Sequence, residues 1–331
     1  MLVTKPSYYP AFSCLAGACP DSCCQDWQVQ VDARHAALYS QLPGPLGEQL
    51  RSVLRQEDGD IYMTIQDGRC PMWRRDGLCS IQAQLGEQAL CDTCREFPRL
   101  THDYGDFVEL GLELSCPEAA RLILNTPEAP LLTQDVPGGS APDYDPQDMA
   151  LLKESRTQAL SLLQDGQSHP GQALAQLLLY GCQVQSALDG GQLEPFSSQD
   201  ALETAQTMAQ PGSLDAIIGL FQELEILTPR WSERLAHPAP GPWDKRTLAL
   251  ARYFVQRYWL QAVSDYDLYS RVKFACLACV LIKGLGGDFL STAQLFSKEI
   301  ENDADNLDTL LDAAYTHPAC TDDKLLGLLL G

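Results

Sequence analysis

Cysteine sets the chemistry open to this chain. Of its thirteen cysteines, nine fall within the first 116 of 331 residues: Cys14, Cys19, Cys23, Cys24, Cys70, Cys79, Cys91, Cys94 and Cys116. Thiols at such spacings either pair as disulfides or converge on a soft metal centre, Zn²⁺ or an iron–sulfur cluster. The run CLAGACPDSCC holds four of them in a loop of small and turn-forming residues, where several sulfurs can face one point. Cys70 and Cys79 flank PMWRRDGL, with Asp76-Gly77 as a hairpin turn signal. Cys91 and Cys94 form a CxxC followed by REFPR, and Cys116 stands at the start of a predicted helix, whose positive end favours a thiolate. Four thiolates complete one tetrahedral zinc site or one four-iron cluster. Nine are too many for one site and about enough for two, or for one site with structural thiols beside it. The spacing does not choose between the metals.

Metal binding is the favoured reading. A disulfide framework needs export, and MLVTKPSYYPAFSCLAGACP carries no apolar run of signal-peptide length. An odd number of cysteines leaves one unpaired, and vicinal residues such as Cys23 and Cys24 strain the backbone when bridged to each other. No segment reaches the roughly 18 apolar residues of a membrane span. The net charge of −21 repels phosphate backbones and anionic lipid, so neither nucleic acid nor membrane is an expected partner. A cytoplasmic location is expected. The acidity serves solubility or attracts a basic protein surface.

The elements that must position these thiols read as mainly α. VDARHAALYSQL and GPLGEQLRSVLRQ have apolar residues three and four apart, as short helices do, whereas IYMTIQ and FVELGLEL alternate as half-buried strands. CPEAARLILN starts another helix with Pro117 in its first turn. We therefore expect a small cysteine-rich α+β metal-binding module over residues 1–126. A Pro/Gly-rich linker or long loop should follow over 127–147, and an all-α helical domain over 148–331, where helical runs are separated by Pro, Gly and Asp. No strand alternates with these helices, which argues against a doubly wound nucleotide-binding sheet.

The remaining candidates are less sharply marked. Cys276 and Cys279 match CxxC, but in FACLACVLI they read as helix core, as does Cys182 in LLLYGCQV; nothing in the surroundings of Cys320 assigns it a role. His102 is the histidine nearest the cysteines and a reserve ligand. His35 lies on a helix face as a packing or solvent-facing residue, and His169, His237 and His317 precede proline and read as loop residues. Arg95 and Arg99 can donate to cluster sulfides or to a carboxylate, with ion pairs to Glu96 or Asp103 the plainer reading. Tyr62, Asp103, Tyr104 and Asp106 lie near the cysteines in no pattern that assigns them a role. Nor does any pattern assign one to Tyr253, Tyr258, Tyr266 and Tyr269, which with Trp259 make up an aromatic-rich stretch whose plainer reading is helix packing. GLGGD (Gly284 to Asp288) follows a helix and reads as a C-cap and turn, and no CxxxCxxC triplet occurs.

In order, FSCLAGACPDSCCQDW, GRCPMWRRDGLCSIQAQLGEQALCDTCREFPR and LELSCPEAARLIL resemble the flagellin lysine-N-methylase (FliB-type) family. That family shares its cysteine module with putative zinc- or iron-chelating CxxCxxCC proteins. The resemblance covers roughly residues 8–125. Cys19, Cys23, Cys24, Cys70, Cys79 and Cys94 fit the shared module, Cys91 and Cys116 fit the methylase pattern, and Cys14 stands where the first module cysteine would, at wider spacing. The resemblance implies an S-adenosylmethionine-dependent lysine N-methyltransferase with a cysteine-ligated iron–sulfur cluster, of the 4Fe-4S type or with zinc in its place. It also implies a protein substrate with exposed lysines, flagellin. The residues alone leave open a non-catalytic zinc- or iron-binding adaptor or redox module.

Overall fold

Alternation and turn chemistry in the first 135 residues produce two small sheets among the described residues; the remainder is helical, so the chain is mainly α with its β content near the N-terminus. The computed structural model describes residues 1–25, 29–57, 59–66, 68–166 and 168–331. Trp27, which ends the first resembling segment, lies outside them.

The strands are β1 (Leu2–Pro6), β2 (Val29–Gln30), β3 (Leu54–Glu57), β4 (Asp60–Met63), β5 (Arg99–Asp103), β6 (Phe107–Leu112) and β7 (Leu131–Asp135). One sheet has the order β5-β6-β1-β7, with β1 parallel to β6 and antiparallel to β7; the other is the antiparallel set β2-β4-β3. FVELGLEL forms β6, pairing with β5 so that Thr101 faces Leu110. The turn between them needs Gly105: its φ is +90°, and a Cβ there would sit 2.8 Å from the Ala141 carbonyl oxygen. The segment read as a linker contains β7, an exposed edge strand held by β1 and by the Ser7 N–H, which donates to the Pro130 carbonyl at 2.9 Å.

After Pro146 the helices follow the spacing of the sequence closely. PGQALAQLLLYGCQVQSAL is helical over Pro170–Leu188, and DLYSRVKFACLACVLIKGL over Leu268–Leu285. Oxygen caps start many of them: Asp145, Ser197, Ser213, Thr228, Asp267, Asp288 and Asp303 each accept a first-turn N–H. The helix Leu268–Leu285 is buried on nearly all sides, as an all-round apolar helix must be. It packs against the helices Pro170–Leu188, Thr247–Tyr258, Phe289–Ile300 and Ala304–Thr316. Cys276 and Cys279 are fully buried on it, and Gly286 and Gly287 (φ +63° and +76°) end it, as GLGGD predicts.

Two hydrophobic cores result. The larger runs from Tyr8 through β6 and helix Pro117–Leu124 into the helical array; the smaller holds Val29, Tyr39, Leu50, Met63, Met72, Ile81 and Leu90. The nine N-terminal cysteines gather where the two meet.

Candidate metal centre

All nine N-terminal cysteines line one cavity of about 510 Å³. Each reaches it from a different local device. Cys14 and Cys19 bracket the tight turn Ala16–Ala18, and the Ala16 N–H donates to the Cys14 sulfur at 3.4 Å. Cys23 and Cys24 occupy the next turn. There the Cys24 N–H donates to Ser22 Oγ (3.1 Å), and its carbonyl accepts the Cys70 N–H (2.7 Å), tying the first loop to the second cysteine group. Cys70 and Cys79 stand at the ends of a narrow loop closed by the Trp73–Cys79 bridge, with Gly77 at φ +80° as the Asp76-Gly77 signal predicts. Gly77 meets Gly17 backbone to backbone, and a Cβ on Gly77 would lie 3.3 Å from the Gly17 Cα.

Cys79, Cys91 and Cys116 all occupy the position just before a helix, over Ser80–Leu85, Asp92–Glu96 and Pro117–Leu124. Unlike the oxygen caps elsewhere, none of these thiols closes a capping hydrogen bond, and all three line the cavity.

The sulfurs are grouped but not tightly packed. Cys24 lies within hydrogen-bond reach of both Cys23 and Cys70, and Cys91 of Cys94. Among the described residues, the one trio of His, Cys, Asp or Glu side chains with ligand atoms within 4.8 Å of one another is Asp32, His35 and Asp92, so no three cysteine sulfurs are that close. Contact with the Cys23 and Cys70 sulfurs pulls Cys24 down and pushes those two up, and the Cys70 thiol donates to Met63 Sδ at 3.3 Å. Accepting from Cys94 likewise lowers Cys91. Burial raises Cys19, Cys79 and Cys116, the last to about 11.

The wall behind Cys91 is held by Asp32. Burial opposes ionisation of its carboxyl, but the N–H groups of Asp92 (3.0 Å) and His35 (3.0 Å) and the His35 imidazole (2.8 Å) outweigh that and hold it down to about 2. His35 is buried, and its other ring nitrogen faces the Gln88 carbonyl at 3.4 Å. On the opposite wall, helix Phe289–Ile300 reaches into the cysteine loop. Lys298 Nζ pairs with Asp21 at 3.3 Å, and Gln294 Nε2 donates to Asp21 (3.1 Å) and to the Ser115 carbonyl (2.6 Å).

A lysine-N-methylase of Salmonella typhimurium is 34% identical to this chain over 139 residues, covering 40% of this chain and 35% of that protein. A lysine-N-methylase of Salmonella choleraesuis matches to the same extent, so the matched stretch spans 35% of the length of these relatives. The flagellar biosynthetic protein FliU of Salmonella muenchen is 34% identical over 134 residues, 38% of this chain and 79% of FliU. The chain belongs to the FliU family. No family model matches it, and no solved structure does.

In this FliU-family chain most of the other residues singled out by sequence fall elsewhere. His102 lines a separate small cavity beside Arg257, away from the thiols. Tyr253 and Tyr258 are buried on Glu301, Trp259 donates to Ser155 Oγ (3.1 Å), and Tyr269 binds Asp322 (2.7 Å); these aromatics serve packing. Tyr62, Asp103, Tyr104, Asp106 and Tyr266 do not line the cysteine cavity, whereas Arg95 and Arg99 do. Arg95 pairs with Asp92 and Glu96, and Arg99 lies 5.2 Å from the Phe12 ring centroid. Sequence reasoning missed Tyr39, Glu87, Glu118, Lys298 and Asn302 on the cavity wall. Lys298 and Asn302 carry no local signal, because they reach the thiols from the far end of the chain. Among the described residues, no helix is long and apolar enough to cross a membrane.

Proposed function

We propose that this chain is a protein-lysine N-methyltransferase using S-adenosylmethionine, with a cysteine-ligated iron–sulfur cluster of the 4Fe-4S type in the thiol cavity and flagellin as its protein substrate. The observation that carries the reading is the convergence of nine thiols on one cavity in a chain similar to lysine-N-methylases.

The donor set fits such a group. A tetrahedral zinc site with bonds of about 2.3 Å brings its sulfurs to about 3.8 Å of one another. Among the described residues, no three cysteine sulfurs lie even within 4.8 Å, a looser arrangement that suits a multi-iron core better than a single ion. Trp73 lines the same cavity, and among the described residues its buried Nε1–H has no acceptor, as a donor awaiting a cluster sulfide would. Cys19, Cys23, Cys24, Cys70, Cys79, Cys91, Cys94, Cys14 and Cys116 are the candidates from which its four ligands would be drawn. When bound, a cluster supplies a redox-active, thiolate-ligated iron centre.

The same walls carry groups suited to the rest of the reaction. Arg95 and Arg99 offer cations to a cofactor carboxylate, and Phe12, Trp73 and Phe97 offer aromatic faces to a base. A substrate lysine, with a pKa of about 10.4, must lose its proton before its nitrogen attacks a methyl carbon. Asp21, Glu87 and Glu118 are the cavity carboxylates that can take it; Lys298 and Arg121 neutralise the first and third. The acidic chain, at −21, also suits a lysine-rich protein partner better than nucleic acid.

Incubating anaerobically prepared protein with methyl-labelled S-adenosylmethionine and flagellin tests the reading. Label on flagellin lysines is expected. No transfer from protein replete in iron and sulfide contradicts it, and a zinc-loaded, inactive protein that still binds a partner establishes the adaptor instead.

A further inference from the structure

We propose that the cavity houses two separate thiolate-ligated metal centres, divided at the Cys23–Cys24 doublet. One is held by Cys14, Cys19, Cys23 and Cys116. The other is held by Cys24 with a set drawn from Cys70, Cys79, Cys91 and Cys94. The inference rests on the proposed reading only in taking the cavity to bind metal.

The thiols stand on two different supports. Cys70 and Cys91 are buried in the smaller core, and Cys24, Cys79 and Cys94 pack against it. Cys116 belongs to the larger core, at the head of helix Pro117–Leu124. Cys14 and Cys19 sit in a loop whose Asp21 is fastened to that same side by Lys298 and Gln294.

Neighbour relations divide in the same way. Cys116 neighbours Cys19, Cys14 and Cys23, and Cys19 also neighbours Cys14. Across the cavity, Cys79 neighbours Cys24 and Cys91, and Cys94 neighbours Cys91, Cys24 and Cys23. Cys23 faces Cys14 and Cys116 as well as Cys24, while Cys24 faces Cys70. The doublet stands between the two groups, with Cys14 and Cys116 on the Cys23 side and Cys70 on the Cys24 side. One tetrahedral ion or one four-iron core takes four thiolates, so nine on one cavity fill two such sets with one to spare.

Iron, acid-labile sulfide and zinc per chain in anaerobically purified full-length protein test this, beside the Cys19→Ser/Cys116→Ser double variant. The natural sequence should carry two centres, about eight irons if both are four-iron clusters. The double variant should retain about half the metal. Cys14→Ser/Cys19→Ser, confined to the loop, provides the same test without touching either core. Metal for a single centre in the natural sequence overturns the proposal, as does a folded variant that loses all its metal or none. Methyl transfer is scored separately. Two centres without transfer would refute the enzymatic reading and leave this one standing; one centre with transfer would do the reverse.

Discussion

Arg257→Met is the sharpest probe of how the helical array holds the Cys116 side of the cavity. Arg257 lies on helix Thr247–Tyr258, 3.2 Å from Glu301, which is fully buried, and 3.6 Å from Glu113. The hydroxyls of Tyr253 and Tyr258 reach the Glu301 carboxylate at 3.0 and 2.7 Å, and Arg257 donates to Tyr253 Oη at 2.6 Å. Glu113 lies three residues before Cys116. Removing the guanidinium leaves two mostly buried carboxylates without their cation, a change that costs about 3–5 kcal/mol in comparable buried pairs. Because two tyrosine donors remain on Glu301, the lower end applies, about 3 kcal/mol, or roughly a hundredfold in the unfolding constant. Urea unfolding followed by tryptophan fluorescence reads it directly, since Trp231 and Trp259 are buried in the same core. Arg257→Met combined with Glu301→Gln should recover about 1 kcal/mol or more, because the stranded charge is then gone. A loss below about 1 kcal/mol in the single variant, with no recovery in the double, refutes the reasoning.

Three further outcomes follow from the geometry. Burial, reinforced by the Arg257 guanidinium, lowers the His102 pKa below the ordinary 6.5, so the unfolded chain takes up a proton that the folded one refuses. Stability should therefore fall as pH drops below about 6.5, and His102→Asn should flatten that slope; an unchanged slope between about pH 7 and 5.5 contradicts it. Lys298→Met strips the cation from partly buried Asp21 and should speed alkylation of Cys14 and Cys19 several-fold while the far-ultraviolet circular dichroism is kept; unaltered alkylation would show that the loop is held otherwise. Cys276→Ala and Cys279→Ala remove fully buried core thiols and should cost about 1–2 kcal/mol each without changing metal content. A fall in bound iron would bring those thiols into the metal chemistry.

Much of this was legible in residue order. The helix Pro170–Leu188 coincides with its apolar run, the Asp76-Gly77 turn closes the Cys70–Cys79 loop, and Cys116 heads its helix. Those features depend on periodicity, turn residues and first-turn proline, all of which are local. LVTKP and LLTQD escaped notice because a five-residue edge strand has no period long enough to stand out, and only pairing in space makes them β1 and β7. On its helix face His35 reads as a packing or solvent-facing residue; its buried bond to Asp32, and through Asp32 to the turn at Asp92, requires contacts some 60 residues apart. Lys298 and Asn302 were invisible for the same reason. The cysteines themselves announced a shared site, but which thiol stands on which core is a property of packing that spacing does not encode.

Iron and acid-labile sulfide content, measured on protein purified without exposure to air, tests the central claim most directly. The account predicts a brown protein with iron and sulfide in near-equal amounts, lost when the N-terminal thiols are replaced. A colourless, folded protein with neither iron nor sulfide, its nine thiols open to alkylation, would contradict it.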